Sequence, residues 1–133
     1  MRTKSLALVF LLAVVGLGAG SGQWHQVDQI MREKLGLTQK ILEAVVTSDW
    51  VALETASRDL ERLLDDPRWA VLKYPEYARH SAEFRKSVQT LHAAAARRDL
   101  EATPDAYVAV TMQCVTCHRY LARARIAKLP SEW

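Results

Sequence analysis

Glycine is scarce in this chain of 133 residues, and four of its five copies fall between residues 16 and 22. Only Gly36 stands elsewhere. No Asn-Gly or Asp-Gly pair occurs, so the tight turns that join antiparallel strands have no signal here. No glycine-rich phosphate loop is present, and no nucleophile stands beside a general base. Turnover of a substrate is therefore not expected, and the chain is not read as an enzyme. Cysteine is nearly absent too: the two copies, Cys114 and Cys117, lie three residues apart near the C-terminus.

The first 22 residues differ from the rest. Arg2 and Lys4 precede an unbroken apolar run from Leu6 to Val15, followed by small residues from Gly16 to Gly22. This is the layout of a secretory signal peptide, 1–22, with cleavage between Gly20 and Gln23 and one mature domain over 23–133. The apolar run is shorter than a bilayer-spanning helix needs, so no membrane insertion is expected after cleavage. No cysteine lies nearby to carry a lipid. Without Arg2 and Lys4, base and acid almost balance, and the net charge of +3 gives no reason to expect a nucleic-acid partner. Export implies a periplasmic location. In an oxidising compartment a free thiol pair becomes a disulfide unless something else claims it.

Alanine, leucine, glutamate, arginine and lysine dominate the mature chain, and all favour helix. Four helices are predicted. The first spans about 26–47, with Val27, Ile30, Met31, Leu35, Leu42, Val45 and Val46 as its apolar stripe. Gly36 inside it costs about 1 kcal/mol, which would be explained by something bulky approaching the backbone. Ser48 and Asp49 cap a second helix over about 50–64, with Val51, Leu53, Leu60, Leu63 and Leu64 buried. Residues 65–75 form a loop bounded by prolines. The third helix, about 76–97, buries Tyr77, Phe84, Val88, Leu91 and Ala95. Thr103, Pro104 and Asp105 start a fourth that runs to about Lys128 and stops before Pro130. Four helices with short or moderate links predict an all-α, antiparallel four-helix bundle. Among the tryptophans, only Trp69 is expected in the core.

The fourth helix carries Cys114-Val115-Thr116-Cys117-His118. The spacing C-x-x-C-H serves covalent haem attachment. On a helix its three reactive residues share one side, so two sulfurs can meet the vinyl edge of a porphyrin while the imidazole reaches the iron. Tyr107, Val110, Thr111 and Leu121 continue that face. A plain disulfide is the main competitor. A thioredoxin-like pair needs a βαβ pattern that is missing, and structural zinc needs four ligands.

Common partners for a His-ligated haem iron are Met, His or an open position. Met1 leaves with the signal, and Met112 shares the helix of His118. Met31, on the first helix, is the methionine placed to approach from the opposite face; otherwise it is core filler. His80 and His92 are rivals, expected at the surface or an edge, and His25 lies at a frayed helix start.

A signal peptide, four helices and C-x-x-C-H on the last of them resemble the class II monohaem cytochromes c, the cytochrome c′ superfamily. In the class I fold the motif is near the N-terminus and the distal methionine follows it, whereas no methionine follows His118 here. The resemblance implies one covalently attached haem c per chain, with Cys114 and Cys117 as thioethers and His118 as proximal ligand. It also implies a distal residue from the first helix. Members are either six-coordinate, with a methionine such as Met31 in that place, or five-coordinate with an apolar pocket. Typical members place an aromatic and an arginine three and four positions after the motif histidine; here Leu121 and Ala122 stand there. Dimerisation through the first two helices is common in the superfamily. The expected function is electron transfer to or from a redox partner protein. The alternative is a gas-binding or sensing protein.

Overall fold

A computed structural model of the chain describes residues 19–71 and 74–126. The expected signal segment up to residue 18, and Lys128, Pro130 and Trp133, lie outside the described residues. Four helices account for nearly everything described: α1 (Ala19–Thr47), α2 (Trp50–Leu63), α3 (Pro75–Ala96) and α4 (Ala102–Ile126), with a 3-10 turn at Pro67–Val71. No strand occurs among the described residues. No helix there is long and apolar enough to cross a membrane. α1 begins earlier than its apolar spacing indicates, running through Gly20 and Gly22.

With glycine missing from the helix ends, the turns use another device, and use it twice. Ser48 after α1 and Arg98 after α3 take left-handed backbone angles, φ 56° and 53°. The next residue in each case closes the finished helix and opens the following one. Asp49 N–H donates to Ala44 O at 2.9 Å, and Asp99 N–H donates to Ala94 O at 3.1 Å, the bond that satisfies an orphan carbonyl at a helix end. The same aspartates then cap forward: Asp49 accepts from Ala52 N–H at 3.0 Å and Asp99 from Ala102 N–H at 2.9 Å. The cap of α4 is thus Asp99, not Thr103. The Thr103 hydroxyl donates backwards to Asp99 O inside the first turn.

Successive helices pack as neighbours, and α4 returns to α1, which closes an antiparallel bundle. Ile41, Leu53, Leu60, Val88, Leu91 and Val110 are wholly out of water at its centre; each buried side chain of this kind contributes about 1.5–3 kcal/mol. The third helix buries all five of its expected residues. On α2, Leu53, Ala56, Ser57 and Leu60 are buried within the helix and Leu64 just after it, while Val51 is 72% exposed.

The expected stripe of α1 is only partly inside. Ile30, Lys34, Thr38, Ile41 and Ala44 are buried, whereas Leu35, Leu42 and Val46 are exposed. At about 100° per residue, the seven apolar residues span too wide an arc for one buried face. Gly36 has no crowded neighbour either: a Cβ there meets nothing within 4 Å.

The 65–71 connection is tied down at several points. Arg68 reaches Asp66 and also Glu33 on α1, Arg85 donates to Leu64 O at 2.8 Å, and Tyr77 Oη donates to Trp69 O at 2.8 Å. Trp69 stacks on Phe84 at 6.0 Å between ring centroids, so it joins the edge of the core, as does Trp50.

Candidate haem-attachment site

Helix α4 runs without a break through the C-x-x-C-H residues. Cys114 and Cys117 are free, half-buried thiols. Cys114 packs against the core cluster and its Sγ donates to Val110 O at 3.4 Å. Burial pushes the Cys117 thiol above its usual 9.0, opposed by the positive charge of Lys34. His118 is exposed.

The direction His118 faces follows from its neighbours. Tyr120 packs on His80 of α3 at 5.2 Å between centroids. Two residues are about 200° around a helix, so His118 lies on the other flank of α4, the one turned toward α1. The same reasoning orients α1. Leu37, Lys40, Ala44 and Thr47 line a groove shared with Ala52 and Ala56 of α2. Met31, Leu35 and Leu42 therefore lie on the opposite flank, toward α4.

The two helices are antiparallel, and their level is set at two places. Lys34 couples electrostatically to Cys114 and Cys117, while Ala44 and Val45 share a small cavity with Thr103 and Pro104. Met31, one turn before Lys34, thus stands level with the turn that holds His118. Met31 is partly buried. Near this pair Leu35 and Val115 are exposed apolar side chains, 58% and 42%, and Leu42, 44% exposed, continues the α1 flank toward the start of α4.

The histidines fall differently from their expected places. His80 is buried at 4% exposure rather than at an edge, with Nδ1 lacking a hydrogen bond among the described residues. Its contact with Tyr120 puts it on the flank away from His118. His92 is half-buried and its Nδ1 meets Glu61 at 2.9 Å, far along α3 from the cysteines. His25 is exposed, beside Gln29. Met112 is 51% exposed, on the outer side of α4.

Lys34 is the neighbour that sequence reasoning passed over. Its side chain is 7% exposed, and its ammonium lies 3.4 Å from the Phe84 ring centroid and 4.5 Å from that of Trp69. The signal was present: Lys34 follows Ile30 by four residues and precedes Ile41 by seven, a buried-face spacing.

Two free thiols one turn apart and an exposed imidazole on the adjoining flank are the donor types that covalent haem attachment needs. The same residues do not suit zinc, because no group of three or more His, Cys, Asp or Glu among the described residues converges as metal ligands would. No family model, curated protein or solved structure matches the chain. Its own residues carry the functional reading.

Proposed function

We propose that this chain is an exported monohaem c-type cytochrome that carries single electrons in the periplasm. Cys114 and Cys117 would attach the haem through their sulfurs, and His118 and Met31 would hold its iron. The observation that supports this is the shared seam: His118 and Met31 stand at one level on facing flanks of α4 and α1, with the thiols directed inward beside them.

Haem c supplies a one-electron ferric–ferrous couple when bound. The protein's part is to hold and tune. The two cysteines fix the group to α4 and set which face the imidazole meets. A thioether sulfur from Met31 favours the reduced form relative to a second imidazole. Leu35 and Val115 are exposed apolar side chains beside the pair, available to contact the group. Arg119 and Arg123 are exposed on α4 near the site, where a redox partner protein would approach.

The test is expression of the full chain alongside haem-maturation machinery, followed by intact mass and a reduced-minus-oxidised spectrum with added carbon monoxide. The expected mass exceeds the processed polypeptide by one haem. The expected ferrous spectrum is low-spin, with slow or absent carbon monoxide binding. A bare polypeptide mass overturns the proposal. High-spin bands with ready carbon monoxide binding replace it with a five-coordinate gas-binding protein.

A further inference from the structure

A buried lysine normally extends along apolar surface until its ammonium reaches water or a carboxylate. Lys34 does neither. Among the described residues no carboxylate or hydrogen-bond acceptor partners its ammonium. Two aromatic faces hold it instead, those of Phe84 and Trp69, and aromatic faces stabilise a cation without neutralising it. Trp69 is itself held by the Tyr77 hydroxyl, which donates to its carbonyl at 2.8 Å. Burial pulls the Lys34 ammonium below its usual 10.5, and the sulfurs of Cys114 and Cys117 act in the opposite direction. Cys114 and Cys117 therefore lie within electrostatic reach of Lys34, and their sulfurs, uncharged as thioethers, are the attachment atoms of the proposed haem.

We propose that Lys34 sets the reduction potential of this site, its unpaired positive charge on α1, level with Cys114 and Cys117, favouring the ferrous over the ferric form. The inference rests on the haem reading above. The ferric state carries one more positive charge than the ferrous state. A cation in a largely dry position therefore raises the energy of the oxidised form more than it would in water. On reduction one electron enters from the redox partner and Lys34 keeps its proton, so no proton is exchanged. Met31 and Lys34 act separately: sulfur acts through coordination, and the ammonium acts through its field.

The test is an equilibrium redox titration of the haem-loaded full chain and two variants. Lys34→Met keeps the length of the side chain and removes the charge; Lys34→Arg keeps the charge. Lys34→Met is expected to move the ratio of reduced to oxidised protein about tenfold toward oxidised at a fixed potential, a midpoint about 59 mV lower for one electron, with the low-spin spectrum retained. Lys34→Arg is expected to stay close to wild type. Should Lys34→Met fail to accumulate, Lys34→Gln tests the same loss of charge. An unmoved midpoint in the neutral variant overturns this inference and leaves the haem reading intact. Loss of the low-spin spectrum in Lys34→Met also overturns it, by making the amine a ligand. A wild-type chain that takes up no haem removes both.

Discussion

The ring of His80 lies 5.2 Å from the ring of Tyr120. That single contact orients α4: it turns Tyr120 toward α3 and therefore His118, two residues earlier, toward α1. The buried His80 of α3 thus packs against one flank of α4, and the motif histidine His118 lies on the other.

The first prediction concerns His80 itself. Its Nδ1 is buried without a hydrogen bond among the described residues, and a group left so costs about 1–3 kcal/mol. His80→Phe keeps a ring against Tyr120 and removes that nitrogen. The expected result is a urea midpoint at or above wild type and an unchanged spectrum of the haem-loaded protein. A lost low-spin spectrum would make His80 a ligand after all.

Met31 should behave in the opposite way. Met31→Ala is expected to shift the loaded protein to high spin and open it to carbon monoxide. Because Met31 is only partly buried, the cost in stability is expected to fall below the roughly 2–5 kcal/mol of a fully buried Met→Ala change. Met112→Ala, on the exposed side of α4, is expected to leave the spectrum as it is. Equal spectra for wild type and Met31→Ala would take Met31 out of the coordination sphere.

Gly36 offers a test that needs no haem. It lies inside α1, and an added Cβ meets nothing within 4 Å. Gly36→Ala is expected to raise stability by about 1 kcal/mol through helix propensity alone. Chemical denaturation of the two proteins decides the matter. A destabilised variant would restore the view that something bulky presses on the backbone at this position.

The clamp on the 65–71 connection carries a pH signature. The hydrogen bonds from Arg68 hold the Asp66 carboxyl below its usual 3.8. A carboxylate whose proton affinity is lowered by folding stabilises the native state at pH above its unfolded value, and loses that contribution as pH falls through the folded value. Wild type is therefore expected to lose more stability than Asp66→Asn as pH drops below about 4. Parallel pH profiles for the two proteins would show that the clamp contributes nothing.

Much of the bundle was legible locally. The five residues expected inside on α3 are all buried, because their stripe is narrow and bounded by charged residues; His80 and Ala94 join them. The start of α2 was equally readable, since Asp49 is a good cap in the right place. The start of α4 was not. Thr103, Pro104 and Asp105 make a strong cap signal, yet Asp99 does the capping, because the closing turn of α3 already delivers that aspartate to the first N–H groups of α4. The α1 stripe misled for a different reason: its apolar residues cover two flanks, and only packing separates the flank against the core from the one left open.

The C-x-x-C-H spacing, the helical period and the proline and capping positions are properties of a few neighbouring residues, so the sequence by itself determined that this is a helical chain with two thiols and an imidazole on one side of its last helix. The rotation of each helix about its own axis is different in kind. It is set by which neighbour each face meets, across residues far apart in the chain. Only the tertiary structure, therefore, placed Met31 level with His118, turned His80 toward the other flank, and set the ammonium of Lys34 against two aromatic rings near the cysteines.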